Sequence, residues 1–143
     1  MNCVTAPYTS AENSISECSH CTIMSHARTI CLDAKLPPNL WAEYAQTAYY
    51  LKNRTPTRAL DEKTPHELWT GQKPDLTHLR ELGCRAFVLI QNRHNPKIYE
   101  RSVECVLAGY SPNSKAYRCY NQVTGNIVIS QNVKFIEKKD SVP

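Results

Sequence analysis

A chain of 143 residues with 41% apolar and 21% charged residues has enough hydrophobic material for one domain with a core, which excludes wholesale disorder. The net charge of +4 is unevenly placed: residues 83–143 hold nine Lys or Arg against four acidic residues, whereas residues 1–82 hold eight against nine. No run reaches the roughly 18 apolar residues that a membrane span requires.

The start, MNCVTAPYTS, lacks the basic and apolar regions of a secretory signal. Seven scattered cysteines, an odd number, are unlike a disulfide framework. The expected compartment is therefore reducing, nucleus or cytoplasm. The basic balance of the C-terminal part fits a polyanion partner or an ordinary solvated surface.

Residues 1–14 are polar and turn-forming. From Ile15 a helical pattern sets in, with Ile15, Ile23, Ala27, Ile30 and Ala34 on one side. Ser14 as N-cap and Glu17 at the third helical position form a capping box. The helix is expected to stop near Lys35, ahead of Pro37 and Pro38. A second helix, with Asn39 as N-cap, runs through Trp41, Tyr44, Ala45, Ala48, Tyr49 and Leu51 to about Asn53. Two such helices do not make an independent core.

Between 57 and 82 there are two short helical signals. Thr64, Pro65, Glu67 and Gly71 mark a capped turn or two. Leu76, Leu79 and Leu82 place a second apolar stripe in DLTHLREL. The pattern then changes to short runs of β-branched and aromatic residues, with strands expected at about 84–91, 102–109, 116–122 and 126–136. Thr124-Gly125-Asn126 is a hairpin signal. The alternation in the last strand slips near Ser130 and Gln131, as a bulge would make it. A small antiparallel barrel or curled sheet follows.

The segments TAPYTSAENSISECSHCTIMSHARTI, LPPNLWAEYAQTAYYLKNRTP, KTPHELWTGQKPDLTHLRELGCRAFV and AGYSPNSKAYRCYNQVTGNIVISQNVKFIE resemble, in this order, the integrase region of copia-type retrotransposon polyproteins. The resemblance implies an α+β fold: N-terminal helices, the remnant of an RNase H-like core, followed by a small antiparallel SH3-like β-barrel. It implies residues 1–56 as the end of that core, 57–82 as a connector with short helices, and 83–138 as the barrel. Glu17 falls on the third carboxylate of a Mg²⁺-dependent polynucleotidyl transferase, where clustered carboxylates hold two ions.

Around Glu17 the sequence departs from the family pattern. Ser14 stands for a Gly, Glu12 for a Gln, and Cys18 and Cys21 for two Arg; the changes to Ser and Cys each need a single base transition, as in a decaying copy. The two Asp of the metal site are not among these residues. One carboxylate cannot hold a metal pair, so the isolated chain is expected to be no enzyme and to carry no metal or cofactor. Cys18 and Cys21, with His20 and His26 nearby, also look like half of a zinc site. Replaced arginines is the better reading, because no second close pair exists.

Nucleic acid is the expected partner, alongside other retroelement-encoded chains. Arg93, Lys97, Arg101, Lys115 and Arg118 are the candidates for phosphate contact. Tyr110, Tyr117 and Tyr120 could stack on bases, but filling the barrel is the favoured role. Two alternatives stay open. One is a protein-interaction module using exposed faces around Trp41, Tyr44 and Tyr49, and the other is a gene fragment without function.

Overall fold

The computed structural model describes residues 13–89, 102–112 and 114–137. Two long helices, α1 (Ser14–Ala34) and α2 (Trp41–Lys52), are followed by a short α3 (Pro65–Thr70). Five strands complete the chain: β1 (Arg85–Leu89), β2 (Ser102–Tyr110), β3 (Tyr117–Tyr120), β4 (Ile127–Ser130) and β5 (Val133–Ile136). The fold is α+β.

The helix starts differ from expectation. Helix α1 begins at Ser14 itself behind Asn13, with no side-chain cap, so Glu17 lies one position too far along for a capping box. Asn39 sits inside a 3₁₀ turn, Pro38–Leu40, that runs straight into α2. The prolines pre-set that turn and leave Asn39 no capping role. Helix α3 does follow its signals: the Thr64 hydroxyl accepts the Glu67 amide at 3.0 Å, Pro65 opens the helix and Gly71 closes it at φ +73°.

No helix forms over the Leu76, Leu79 and Leu82 stripe. The carboxylate of Asp75 accepts from the Thr77 amide at 3.0 Å and the Thr77 hydroxyl at 2.6 Å. This local turn competes with helix nucleation and wins. Leu82 packs on the barrel interior, while Leu76 is exposed.

The strands pair antiparallel in the order β4-β3-β2-β1-β5. The expected single strand at 126–136 is therefore two strands on opposite edges, and the slip at Ser130 and Gln131 is the corner between them. Only Gln131 and Asn132 separate β4 from β5, enough to span about 10 Å. A flat five-stranded sheet would hold its edges about 19 Å apart, four spacings of about 4.8 Å. The sheet must therefore curl until its edges approach, which makes it a barrel.

The barrel interior is filled by alternate residues: Ala86 and Val88 from β1, Cys105 and Leu107 from β2, Cys119 from β3, with Val128, Val133 and Phe135 closing it. Tyr117 also packs there, its ring edge-on to Phe135 at 4.7 Å. Tyr110 is buried and Tyr120 packs under the helices, so these tyrosines are core residues.

The outer face of β2 is covered as well. A second apolar cluster joins Ala27 of α1, Leu36, and Tyr44 and Ala48 of α2 to Ala108 of β2, with Val106, Tyr120 and Ile127 at its margin. Burial on both faces explains why CVLAGY, the later part of β2, is continuously apolar. The helices, unable to make a core alone, find it on the barrel wall.

Two glycines permit this docking. A Cβ on Gly83 would meet Ala34 Cα at 2.7 Å, and one on Gly109 would collide with the Thr47 hydroxyl. That hydroxyl instead donates to the Ala108 carbonyl at 3.2 Å, in full burial. Arg118 of β3 grips Glu43 of α2 through two hydrogen bonds of 2.6 Å.

Candidate nucleic-acid interface

Glu17 lies exposed on the first turn of α1, and Cys18 and Cys21 are exposed beside it. Among the described residues no group of three or more His, Cys, Asp or Glu is placed to hold a metal ion. Among those residues Glu17 has no second carboxylate beside it to share a Mg²⁺ pair, and Cys18 and Cys21 have no further ligands of the kind a zinc site needs. The thiols of Cys84, Cys105 and Cys119 are raised by burial, to about 11 for Cys84 and about 12 for Cys119. They behave as small apolar residues.

Of the expected phosphate contacts, Arg93, Lys97 and Arg101 lie outside the described residues. Arg118 is turned toward α2, where its guanidinium meets both carboxylate oxygens of Glu43 with side chains only 20% and 17% exposed. Its proton is held more tightly than usual, chiefly by that hydrogen bond. Lys115 extends into solvent from the turn between β2 and β3, its ammonium 3.5 Å from Asp75. Asp75 is held down at about 2, mainly by the Thr77 hydroxyl and amide, so it stays ionised.

Lys115 borders a cavity of about 270 Å³ where the end of α2, the connector and the β2–β3 turn converge; Tyr50, Arg54, His66, His78, Tyr110 and Ser111 complete most of the lining. Its floor is aromatic. Tyr50 stacks on Tyr110 at 5.4 Å, and its hydroxyl is 2.7 Å from His78 Nε2. The hydroxyls of Tyr110 and Tyr117 donate to the carbonyls of Arg80 and His78, at 2.6 and 2.9 Å. These bonds hold the connector to the barrel. The His78 ring is held below the usual histidine range by burial, and its Nδ1 has no partner among the described residues. Burial pushes the Tyr110 phenol up to about 12.

The guanidinium of Arg54 lies 3.5 Å above the Tyr50 ring and donates to the Tyr50 carbonyl, which fixes its position. Beyond Arg54 and His66 a second hollow of about 370 Å³ opens, also lined by Tyr49 and Trp69. Sequence reading passed over Tyr50, Arg54, His66, His78 and Trp69, which come from three separate segments. The one available signal was local: a six-residue helix cannot bury both Leu68 and Trp69. The surface offers cationic and hydroxyl hydrogen bonding and aromatic faces.

Residues 84–142 match the retroviral polymerase SH3-like domain family. The chain is 33% identical over 135 residues to a retrovirus-related Pol polyprotein from transposon TNT 1-94 of Nicotiana tabacum, covering 94% of this chain and 10% of that protein. It is 31% and 32% identical to the Pol polyproteins from transposons RE2 and RE1 of Arabidopsis thaliana, in each case over 92% of this chain and 9% of the relative. The chain thus spans about a tenth of the length of these relatives. No solved structure matches.

Proposed function

Because this chain belongs with the copia-type retrotransposon Pol polyproteins and carries their retroviral polymerase SH3-like domain, we propose that it is the accessory, nucleic-acid-contacting part of an integrase region. The observation that carries this reading is the continuity of the match, which runs through the helices as well as the barrel. Helices α1 and α2 are then the end of an RNase H-like core, with Glu17 its third carboxylate. The inherited process is DNA integration. Among the described residues Glu17 has no companion carboxylates for two-metal chemistry, and on this reading the chain binds nucleic acid without cutting or joining it.

Lys115, with Arg93, Lys97 and Arg101 from the sequence between β1 and β2, supplies the phosphate contacts. Arg118 acts through Glu43 by fixing the helices to the barrel. Duplex DNA titrated by fluorescence anisotropy is expected to bind weakly, with an affinity that falls steeply with salt. Replacing Arg93, Lys97 and Arg101 by Ala should weaken it at all sequences alike. Absence of salt-dependent binding overturns the reading, and strand transfer with Mg²⁺ or Mn²⁺ that Glu17→Ala abolishes overturns the non-enzymatic part.

A second reading is favoured by one observation. Between α1 and α2, on the side away from the barrel, lies an apolar groove of about 620 Å³ lined by Met24, Leu32, Pro38 and Trp41. Leu32 and Trp41 are 72% and 60% exposed. Tyr44, expected on this face as part of the contact, does line the groove, but it is buried there and its hydroxyl donates to the Pro37 carbonyl at 2.7 Å. The groove suits another element-encoded chain, and that association is insensitive to salt.

A further inference from the structure

Two adjoining hollows share Arg54 and His66, and their linings differ in a complementary way. The outer one presents flat aromatic surface: Trp69 is 92% exposed and Tyr49 56% exposed. The inner one presents Lys115 and the hydroxyls of Ser111 and Ser114, which bond each other at 3.1 Å. A tryptophan this exposed is not used by the fold, since α3 is already held by its Thr64 cap and by the His66 amide donating to the Asn53 carbonyl at 2.9 Å. That same bond ties the start of α3 to the end of α2. The platform is therefore placed by backbone contacts, independently of the aromatic side chains it displays.

We propose that the surface running from Trp69 and Tyr49 across Arg54 to Lys115 is a groove for single-stranded nucleic acid. Unpaired bases stack on Trp69 and Tyr49, while Arg54 and Lys115 take the phosphates that follow. The mode uses the π-face every base possesses and so reads no sequence. Duplex DNA hides those faces in its own stack, which is why the groove selects single strands. Arg54 is already immobilised over Tyr50, so little side-chain freedom is lost when it meets a phosphate.

One group opposes the ligand. Asp75 lines the inner hollow as a carboxylate beside Lys115. Its turn needs an acceptor for the Thr77 amide and hydroxyl, which the Asn side-chain oxygen also supplies, so Asp75→Asn removes the charge without removing the turn.

The proposal rests on the nucleic-acid reading above, and the experiment separates the two. The 143-residue chain is titrated by anisotropy with a labelled mixed-sequence single-stranded DNA, the corresponding RNA, the duplex, and a poly-glutamate peptide. Trp69→Ala and Tyr49→Ala, both at exposed positions and checked for fold by circular dichroism, are each expected to weaken single-strand affinity about tenfold. Duplex affinity should change less than about twofold, and Asp75→Asn should tighten single-strand binding.

Single-strand affinity unaltered by both aromatic substitutions, with duplex binding intact, overturns the groove alone. Binding to neither DNA form overturns the groove and the reading beneath it. Poly-glutamate bound as tightly as the single strand and weakened by the same substitutions makes the occupant an acidic protein segment, and also overturns the proposal.

Discussion

Where α2 meets β2, the Thr47 hydroxyl occupies the space that a side chain at residue 109 would need, and a pair of substitutions tests this contact. In Gly109→Ala the new Cβ would collide with Thr47 Oγ1, but stand 3.6 Å from Thr47 Cβ and 4.0 Å from the Glu43 carbonyl. The hydroxyl alone is in the way. Thr47 is only 2% exposed and β-branched on a helix, so it cannot swing aside freely.

Displacing it breaks the bond to the Ala108 carbonyl, at about 1–3 kcal/mol for a buried acceptor left unpaired. Overpacking adds about 1–3 kcal/mol, and the smaller entropy of the unfolded chain returns about 0.4–1. Gly109→Ala should therefore cost about 2–4 kcal/mol. Thr47→Ala alone should cost about 1, because the lost bond is partly offset by alanine's better helix propensity.

The double variant is the decisive measurement. With the hydroxyl gone, the methyl introduced by Gly109→Ala meets ordinary contact distances, so the pair should be more stable than Gly109→Ala by about 1–2 kcal/mol. Urea denaturation followed by circular dichroism reads the cycle. A neutral Gly109→Ala, or a double variant that loses the sum of the singles, refutes the reasoning. Gly83→Ala provides the contrast: its Cβ would meet backbone, Ala34 Cα at 2.7 Å, at a φ of +84°, so no truncation of a side chain should rescue it.

The Arg118–Glu43 pair should show the behaviour of a largely buried ion pair. Arg118→Met or Glu43→Gln is expected to cost about 2–3 kcal/mol, less than full burial would give because both side chains keep some exposure. The double variant should recover part of that, and additive losses in the same denaturation assay would argue against the pair. His78 should make stability depend on pH in a defined direction. Burial lowers its pKa in the folded state, against Asp75, which raises it, and alongside Arg54, Lys115 and Arg80, which lower it. The unfolded chain then binds the proton first. The stability contributed by neutral His78 is complete above the unfolded value of about 6.5 and is lost as pH falls below it toward the folded value. His78→Asn should flatten the fall of the denaturation midpoint as pH drops below about 6.5, and an unchanged pH profile would remove His78 from the explanation.

How far the sequence carries depends on the range of the interaction. The Thr64 cap, the Gly71 stop and the Asn121–Asn126 hairpin are local. In the hairpin the Asn121 carboxamide accepts from the amides of Val123 and Thr124 at 2.9 and 3.2 Å, and Gly125 takes φ +72°. All follow from side chains within a few positions of the backbone they serve. The Leu76–Leu82 stripe shows the limit of periodicity, since its spacing favoured a helix while Asp75 had a better local partner in Thr77. In the last strand the two-residue slip was visible, but whether it marked a bulge or a corner depended on β1, some 45 residues away, offering an edge for β5.

By itself the sequence determined the helix–connector–strand order, the capped turns, the alternation that fills the barrel and the kinship with retrotransposon polyproteins, because each is written in neighbouring residues. Only the tertiary structure decided that β4 and β5 part to opposite edges, that Tyr44 is buried, that Arg118 faces Glu43 at a separation of 75 residues, and that Tyr49, Arg54 and Trp69 share one surface with Lys115. Those outcomes are set by which faces remain to be covered once the barrel closes, and packing couples them across the whole chain.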